Sequence, residues 1–526
     1  MTGASFGRVG VVGLGTMGAG IAEVLARGDL AVVGIEVNAD ALERGRGHLE
    51  RSTGRAVKRG RLTEEGQREI LDRITLSVDF TDLGECDLVI EAVPERLDLK
   101  RRVFAELDRV CRDDAVLASN TSSLSVTDIA VTTGRPTKIV GVHFFNPAPV
   151  MKLVEVIRTV LTEPEAVERV AALVDGLGKT AVTIGDRAGF VANRLLFGYL
   201  NQAATMLESG HATRDDIDTA MKAGAGLPMG PFALMDLIGL DTCLEILEAV
   251  HAESRDRRHA PSPALRERVT AGLLGRKSGH GFYVHDGQGS PDEPAEHDAE
   301  TPAPIVGVLG TGPLADAVAA HCGRAGGQVR TTAAELGDCD LVIECAQDAE
   351  AGRALLVAAA ESAKEGAVLA VTSATVPVIE QAMATGRPGD VVGLHLPEAD
   401  GTLAEIAATV VTAPGVADRA AALAGRLGLT TVRCRDRAGF IVDALRFPYL
   451  NDAAAMLGAG YAGADAIDAA MTLGCGYPSG PIADLDRLGL DRAVTVLRAL
   501  YAETRDPAFA PTPLLAEHVT AARPLR

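Results

Sequence analysis

The second half of this 526-residue sequence repeats the first half. Short motifs recur in the same order in both halves, namely GVVGLG at 10–15 and GVLGTG at 307–312, CDLVIE at 86–91 and 339–344, DRAGF at 186–190 and 436–440, and GAGLPMGP at 224–231 and GCGYPSGP at 474–481. Self-similarity of this kind predicts a tandem duplication in which both copies fold alike. The length alone already predicts two to four domains.

The first copy opens with a strand, a glycine-rich turn and a helix. Residues 8–12 are a β-branched run typical of a buried strand, and residues 19–26 have helical spacing. Glycines in the intervening turn permit close approach of a pyrophosphate, which the helix N-terminus then binds. The sequence therefore predicts a Rossmann-type dinucleotide site whose loop residues are Gly13, Leu14, Gly15, Thr16, Met17 and Gly18.

An acidic residue at the end of the second predicted strand indicates which dinucleotide binds. Glu36 follows the run 31–35 and lies 23 residues beyond Gly13, where a carboxylate can bind the ribose hydroxyls. No arginine lies close behind it, so NAD is favoured over NADP. The alternative is a βαβ unit that binds no nucleotide.

Polar residues follow two later strands of the same predicted sheet. Runs 115–118 and 138–142 should deliver 119–123 and 143–146 to one crevice, because parallel strands end at the same edge. Glu155 lies in a short apolar run and needs a buried partner, for which His143 is the best candidate. Histidine suits proton transfer because its ordinary pKa is about 6.5. Spacing does not separate Ser122 from its neighbours Thr121 and Ser123 as the hydroxyl that assists.

Five longer motifs carry a family resemblance. They are SNTSSL at 119–124, GVHFFNPAPVMKLVEV at 141–156, DRAGFVANRLL at 186–196, AGAGLPMGPF at 223–232 and GRKSGHGFY at 275–283. With the sequence around them, over about residues 7–285, they resemble the short-chain L-3-hydroxyacyl-CoA dehydrogenase family.

This resemblance implies roles for individual residues. The catalytic set would be Ser122, His143, Glu155 and Asn193. The cofactor set would be the 13–18 loop with Glu36, Glu95, Lys100, Ser122, Asn146 and Lys277. The acyl-CoA contacts would be Ser52, Arg59, Ser122 and Asn193; the family usually has lysine in the place of Arg59, which keeps the positive charge.

The hydrophobic period and the composition predict the domains. From Phe190 the period becomes helical, whereas residues 286–304 are rich in Gly, Pro, Asp and Glu and resemble a flexible linker. We predict an α/β Rossmann-type domain and an all-α C-terminal domain, duplicated in tandem with a truncated second Rossmann-like domain. The predicted bounds are 1–187, 188–285, linker 286–304, 305–437 and 438–526.

The second copy has lost parts of the predicted site. The offset between copies is 297 at Gly13 and Gly310 but 253 at Leu83 and Leu336, so 44 residues are missing, including the acid equivalent to Glu36. The counterparts of Ser122 and Asn193 are an alanine and an aspartate, Ala374 and Asp443, whereas His395 and Glu405 match His143 and Glu155. We expect a structural second copy, whose helical domain packs on that of the first as a pseudo-dimer; a regulatory CoA-type site is the alternative. Further pairing into a homodimer stays open.

Charge and cysteine content exclude several other classes. A net charge of −20 and a pI near 5.0 argue against nucleic acid or an anionic membrane as partner. The eight cysteines include no C-x-x-C pair and predict reduced thiols, with neither a disulfide frame nor a metal site. No apolar run reaches the roughly 18 residues of a membrane helix. These features, with a strand near the N-terminus that leaves no room for a signal peptide, predict a cytoplasmic protein.

The predicted function is NAD-dependent, reversible oxidation of an L-3-hydroxyacyl-CoA to the 3-oxoacyl-CoA. A short acyl group such as 3-hydroxybutyryl is the default, and a dicarboxylic 3-hydroxyadipyl or an aromatic-catabolism substrate is an alternative. A dehydrogenase for a β-hydroxy acid without CoA and a non-catalytic dinucleotide sensor are further hypotheses.

Overall fold

Two mainly parallel β-sheets organise the described residues, which are 6–285, 304–346, 348–398 and 401–526 of the computed structural model. The predicted linker lies outside these residues except for residue 304. The first sheet comprises β1 Arg8–Val12, β2 Ala31–Ile35, β3 Ile74–Ser77, β4 Leu88–Glu91, β5 Val116–Ser119, β6 Ile139–Phe144, β7 Leu153–Arg158 and β8 Thr180–Gly185. The second comprises β9 Ile305–Leu309, β10 Gln328–Arg330, β11 Leu341–Glu344, β12 Val368–Val371, β13 Val391–His395, β14 Leu403–Ala408 and β15 Thr430–Arg435.

Helices connect these strands and form the segment after each sheet. Those of the first half are α1 Thr16–Arg27, α2 Ala39–Lys58, α3 Glu64–Asp72, α4 Leu97–Val110, α5 Val126–Ala130, α6 Pro164–Gly176, α7 Ala192–Glu208, α8 Arg214–Ala225, α9 Pro231–Ile238, α10 Leu240–Ser254 and α11 Pro263–Thr270. Those of the second half are α12 Pro313–Arg324, α13 Ala349–Ser362, α14 Val378–Met383, α15 Val416–Arg426, α16 Val442–Gly458, α17 Ala464–Ala469, α18 Pro481–Leu488, α19 Leu490–Thr504 and α20 Pro513–Ala521.

The first sheet has the strand order β3-β2-β1-β4-β5-β6-β7-β8, and only β6 and β7 pair in the antiparallel sense. Its central strands β4 and β5 are buried along their whole length, as expected for parallel strands covered by helices on both faces. The chain reverses direction across the sheet between β1 and β4. Ligands bind in the crevice outside the carboxyl ends of strands at such a switch point.

The second sheet has the order β10-β9-β11-β12-β13-β14-β15, again with one antiparallel pair, β13 and β14. Its edge strand β10 has three residues and is followed almost directly by a 3₁₀ helix, Ala333–Asp338. In the first sheet, by contrast, α2, α3 and β3 follow β2. The second sheet therefore has one strand fewer on the side where an adenosine would bind.

The described residues form two compact units, each of which contains parts of both halves of the sequence. The first unit draws on 6–196, 249–255 and 456–483, and within it α17 packs on β8. The second draws on 197–248, the described residues of 256–455 and 484–526, and within it α8 packs on β14 and β15. Each sheet thus carries a helix that follows the other sheet in sequence.

Also within the second unit, α7 and α16 lie against each other. Gln202 Nε2 donates a hydrogen bond of 2.6 Å to the carbonyl oxygen of Ala444. The rings of Tyr199 and Tyr449 meet edge to face, with centroids 6.3 Å apart. Helices from the two halves therefore share an apolar and hydrogen-bonded contact.

The helix boundaries follow local capping chemistry. The Thr213 hydroxyl, for example, accepts the Asp216 amide at the first turn of α8. The helical period that begins at Phe190 in the sequence is two residues early, since α7 starts at Ala192 and Phe190 has a φ of +47°. In the described part of the chain, no helix is both long and apolar enough to cross a membrane.

Candidate active site

The glycine loop after β1 is built for close backbone approach. Gly13 has a φ of +88°, and a Cβ atom there would lie 2.9 Å from the carbonyl oxygen of Ala92. A Cβ atom at Gly18 would lie 1.7 Å from the carbonyl oxygen of Gly13. The first turn of α1 can therefore pack on the loop only if residue 18 is glycine. These two positions set the sharp turn from β1 into α1.

The middle of the loop is open. Gly15 precedes α1 and is exposed, and nothing lies within 4 Å of its Cβ position. Thr16 is also exposed, whereas Leu14 is buried and Met17 packs partly against the core. The exposed backbone at the N-terminus of a twelve-residue helix fits a pyrophosphate.

Glu36 lies where the ribose of a dinucleotide is expected. Its Oε1 accepts the Leu14 amide at 2.6 Å and its Oε2 accepts the Val37 amide at 3.1 Å. The carboxylate is thereby fixed at the end of β2, next to the glycine loop. Such a group accepts hydrogen bonds from ribose hydroxyls and repels a 2′-phosphate, which fits NAD.

A buried ion pair, which sequence reasoning missed, lies beneath the crevice. Lys100 Nζ donates to Glu91 Oε1 and Oε2 at 2.8 and 3.0 Å, and both side chains are fully buried. Burial raises the pKa of Glu91, and the positive charge of Lys100 opposes that rise. The available signal was an acid ending a buried apolar strand, since such an acid requires a partner.

The expectation that Ser119 faces the crevice is wrong. Its side chain is fully buried, and its hydroxyl donates to Glu91 at 2.7 Å. Ser119 is the last residue of β5, so its side chain points into the sheet packing rather than to the loop that follows. Its role is to satisfy the buried carboxylate.

Glu95 holds the serine loop after β5. Its Oε1 accepts hydrogen bonds from Thr121 Oγ1 at 2.6 Å, from the Ser122 amide at 2.9 Å and from the Ser123 amide at 3.1 Å. Both serine hydroxyls also lie within reach, at 3.4 and 3.2 Å, so the choice between them stays open. Burial alone would raise the pKa of Glu95, but Lys100 and these hydrogen bonds outweigh it and keep the pKa below its ordinary value.

The paired strands β6 and β7 bring His143 and Glu155 together. The two residues lie opposite each other in the antiparallel register, and His143 Nδ1 is 2.7 Å from Glu155 Oε2. Glu155 Oε1 accepts the amides of Val191 and Ala192, each at 3.2 Å. A carboxylate fixed in this way accepts a hydrogen bond from Nδ1–H and leaves Nε2 as the nitrogen that can accept a proton.

Two aromatic rings flank the imidazole. The centroid of Phe145 lies 4.5 Å from that of His143, and the centroid of Phe190 lies 5.6 Å away. His143 itself is 7% exposed. The ring is therefore held by one carboxylate and two apolar neighbours, with little contact with water.

The remaining two catalytic candidates lie on segments joined to this pair. Asn193 is in the first turn of α7, directly after the two amides that bind Glu155, and is half-buried. The serine loop is joined to β6, because Asn120 Oδ1 accepts the Phe144 amide at 3.0 Å. The first unit therefore contains all four residues of the predicted catalytic set.

The other predicted cofactor and acyl-CoA contacts differ in burial and in location. Asn146 is exposed just beyond β6, Ser52 is half-buried in α2, and Arg59 is exposed at the end of that helix. Lys277 belongs to the second unit, where its ammonium pairs with Asp241. The structure thus groups these residues with the first sheet, apart from Lys277.

The second half holds a comparable histidine in different surroundings. His395 Nδ1 is 2.6 Å from Glu405 Oε2, and Glu405 Oε1 accepts two amides of the next segment at 2.9 Å each. On the other side of the ring, however, Nε2 is 3.5 Å from Asp443 Oδ2. Both ring nitrogens therefore face carboxylates.

Two arginines complete this second cluster. Arg446 and Arg492 pair with the Asp443 carboxylate at 3.0 and 2.9 Å. Burial would raise the pKa of Asp443, but Arg492, His395 and Arg446 outweigh it and hold the pKa below its usual value. Ala374, the counterpart of Ser122, offers no side-chain hydroxyl.

Family models match most of the chain. The model described as "3-hydroxyacyl-CoA dehydrogenase, NAD binding domain" matches residues 8–187 and 324–437. The model described as "3-hydroxyacyl-CoA dehydrogenase, C-terminal domain" matches residues 189–285 and 439–526. Each model is therefore matched once in each half of the sequence.

Individual relatives fall into two groups by coverage. A 3-hydroxyadipyl-CoA dehydrogenase of Escherichia coli (strain K12) is 34% identical over 508 residues, which cover 96% of either chain. A 3-hydroxybutyryl-CoA dehydrogenase of Mycobacterium tuberculosis is 46% identical over 280 residues, which cover 53% of this chain and 98% of the relative. Among solved structures, a 3-hydroxybutyryl-CoA dehydrogenase from Escherichia coli K12 superposes with a TM-score of 0.82 at 31% identity, over 98% of this chain and 99% of that one.

Proposed function

The chain belongs to the 3-hydroxyacyl-CoA dehydrogenase family, and on that premise we propose that its first half carries the one working site. The reaction is NAD-dependent oxidation of an L-3-hydroxyacyl-CoA to the 3-oxoacyl-CoA. The observation that carries the proposal is the buried His143–Glu155 pair at 2.7 Å, whose carboxylate is anchored by two backbone amides.

His143 acts as the general base. Its Nδ1 is engaged by Glu155, so Nε2 takes the proton of the 3-hydroxyl group. NAD, when bound, accepts the hydride from C3. Glu155 stabilises the imidazolium that forms and holds the ring in one tautomer, as the carboxylate does in other histidine–carboxylate pairs.

Asn193 and Ser122 orient the substrate beside this nitrogen. In the second half, the residue that corresponds to Asn193 lies 3.5 Å from the Nε2 atom of its histidine, which supports a place for the Asn193 amide on the Nε2 side. A neutral amide there can bind a substrate oxygen without adding charge. Ser122 lies in the loop held by Glu95, and its hydroxyl can donate to the reacting oxygen.

The cofactor contacts follow the order of the strands. The 13–18 loop binds the pyrophosphate, Glu36 the adenosine ribose, and Glu95 and Asn146 lie at the strand ends beyond. Lys100 is fully buried, so we assign it the role of fixing Glu95 and the backbone of Asn120, whose carbonyl it reaches at 3.2 Å. For Lys277 we propose the cofactor contact that the family resemblance implies.

Basic residues at the end of α2 are the proposed site for the CoA phosphate. Lys58 and Arg59 are both exposed there, and Ser52 lies two turns earlier on the same helix. An exposed ammonium and an exposed guanidinium on successive residues can bind a phosphate group. This contact separates an acyl-CoA substrate from a free β-hydroxy acid.

The chain itself we describe as a tandem duplication with a truncated second Rossmann-like domain. The two matches to each family model support this, as does the short β10 region of the second sheet. The proposed bounds are 1–187, 188–285, 286–304, 305–437 and 438–526, in a cytoplasmic protein. The contact between α7 and α16 supports a pseudo-dimer of the two helical domains.

The comparisons support 3-hydroxyadipyl-CoA as a second candidate substrate. The relative that covers 96% of both chains is a 3-hydroxyadipyl-CoA dehydrogenase, whereas shorter relatives are 3-hydroxybutyryl-CoA dehydrogenases. The test is NADH formation, followed by absorbance, with 3-hydroxybutyryl-CoA, 3-hydroxyhexanoyl-CoA, 3-hydroxyadipyl-CoA and free 3-hydroxybutyrate. We expect turnover of CoA thioesters and none of free 3-hydroxybutyrate. If no thioester yields NADH, the proposed function is rejected. If free 3-hydroxybutyrate is turned over as fast as its thioester, the proposed binding of CoA is rejected.

A further inference from the structure

Residues from the second half of the sequence approach the His143 ring. Within the first unit, the 470–477 segment packs on β7; it comprises the π-helical turn Ala470–Gly474 and the next three residues. A Cβ atom at Gly474 would lie 2.8 Å from Leu153 Cδ2 and 3.3 Å from Phe145 Cε1. The segment can come this close only because residue 474 has no side chain.

Phe145 links this segment to the catalytic histidine. One part of its ring is next to Gly474, and its centroid is 4.5 Å from that of His143. Cys475 follows, and burial, with a smaller contribution from the charge of Glu155, raises the pKa of its thiol to about 12. Tyr477 is also buried, at 9% exposure. The segment thus lies beside the reaction centre, with Gly474 and Cys475 half-buried and Gly476 exposed.

An anchor outside the segment holds it in place. Tyr461, at the start of the same helical region, donates a hydrogen bond of 3.0 Å to the carbonyl oxygen of Gly185 at the end of β8. Helix α17 lies between this anchor and the segment and also packs on β8. A shift of the segment would therefore require a shift of the whole α17 region.

Building on the dehydrogenase reaction proposed above, we propose that the 470–477 segment forms the acyl-group wall of the first half's active site and determines which acyl chains are accepted. The hydroxyl-bearing carbon must lie at His143 Nε2, so the rest of the acyl chain passes the surfaces that flank the ring. Phe145 and the segment provide an apolar surface there, and the segment, AMTLGCGY, contains no charged residue. Apolar walls of this kind select chain length by about a factor of 10 or more for each methylene group.

The second half offers a matched control for this contact. Gly224 is the counterpart of Gly474, and within the second unit its Cβ position lies 2.5 Å from Leu403 Cδ2 and 3.4 Å from Pro397 Cγ. Leu403 and Pro397 are the counterparts of Leu153 and Phe145. Gly224→Ala therefore adds the same atom at the equivalent position, where it also meets Val442, but next to the histidine cluster to which we assign no catalytic role.

The experiment measures kcat/KM for 3-hydroxybutyryl-CoA and 3-hydroxyhexanoyl-CoA with Gly474→Ala, Gly224→Ala and Cys475→Ala. We expect Gly474→Ala to displace Phe145 and lower kcat/KM by about 10-fold, with the longer substrate affected more and the KM for NAD unchanged. Cys475→Ala removes one atom from the wall and should shift the preference about 3-fold or more towards the longer substrate. Gly224→Ala should leave the ratio between substrates unchanged.

A readout without catalysis separates this proposal from the proposed function. The NMR signals of the His143 ring should move in Gly474→Ala and stay in place in Gly224→Ala. If the wild-type protein formed no NADH from any 3-hydroxyacyl-CoA, the proposed function would be rejected. The NMR signals of the His143 ring would still test the contact with the segment. An active wild type whose chain-length preference is the same in Gly474→Ala, Cys475→Ala and Gly224→Ala would overturn the acyl-wall proposal.

Discussion

The two histidine sites differ mainly on one side of the imidazole ring. His143 and His395 each bind a buried glutamate at Nδ1, and each glutamate is held by two amides of the next helix. At Nε2 the second site has Asp443 with two arginines around it, whereas the neutral Asn193 stands at the corresponding sequence position of the first half. A general base needs one nitrogen that can accept a proton from substrate. On our proposal, the same scaffold serves catalysis in the first copy, whereas in the second copy it holds an ion cluster.

A second difference lies beneath the nucleotide crevice. In the first half the buried Glu91 binds Lys100, which in turn reaches Glu95 and the serine loop. In the second half, the counterpart of Glu91 is Glu344, which accepts a hydrogen bond from the Ala346 amide. Burial raises the pKa of Glu344. The residue in the place of Lys100 is Gly352, whose Cβ position lies 2.9 Å from Glu344 Oε1 and which has no ammonium to offer. The second half thus lacks both the internal lysine and the hydroxyl that corresponds to Ser122, where it has Ala374.

The largest expected effect is on His143. His143→Ala should lower kcat by about 10² or more, because it removes the proposed general base, while the affinity for NAD stays nearly the same. His395→Ala, the matched variant, should keep kcat within about 2-fold of the wild type. Steady-state NADH formation checks both. Loss of activity in His395→Ala with retention in His143→Ala would assign the reaction to the other copy.

Glu155→Gln should have the next largest effect. An amide keeps the shape of the side chain but does not stabilise the imidazolium, so kcat should fall by about 10² with little change in the KM for NAD. Glu405→Gln makes the same change beside His395 and should leave kcat unaltered. Equal kcat values for the two variants would contradict the comparison between the sites.

Arg59→Glu should raise the KM for the acyl-CoA about 10-fold while kcat and the KM for NAD stay unchanged, since reversal of an exposed charge weakens phosphate binding. The effect should shrink at high salt. A 3-hydroxyacyl-pantetheine, which lacks the nucleotide phosphates, serves as the control substrate. An equal rise in KM for that substrate would show that Arg59 does not act through phosphate.

The smallest effect on activity, and a large one on stability, is expected for Asp443→Asn. Removal of the charge takes one of two carboxylates from the buried Arg446, which also pairs with Glu398, and weakens the pairing of the half-buried Arg492. It should cost about 3 kcal/mol of unfolding free energy at neutral pH. The folded-state pKa of Asp443 is depressed, so its stabilisation is present above the unfolded value of about 3.9 and is lost as the pH falls through the folded pKa. Urea unfolding of variant and wild type should therefore converge at low pH. A constant difference down to the lowest pH would reject this ion cluster as the source.

Some of the site could be predicted from sequence because its residues have local signals. An acid within a short apolar strand and a histidine after the preceding strand predicted the Glu155–His143 pair, which the antiparallel register of β6 and β7 explains. The glycine loop and Glu36 were predictable from the order of strand, turn and helix. These features depend on spacing within a single supersecondary unit.

Other parts had no local signal. The fate of Ser119 depends on the exact end of β5, since one residue further along the chain the side chain would face the crevice. Gly474 lies more than three hundred positions from Phe145 in the sequence, and its importance is visible only from the space that it leaves next to that ring. Contacts between packed surfaces of distant segments leave no periodic pattern, and so the exchange of α8 and α17 between the sheets was not predicted.

The most direct test of a single working site is the binding stoichiometry of NADH, measured by isothermal titration calorimetry on the full chain. The account predicts one NADH for each chain, because only the first half has both the glycine loop and an acid in the position of Glu36. Glu36→Ala should weaken the binding of that one NADH. Two NADH molecules bound per chain, or full binding in Glu36→Ala, would contradict the account.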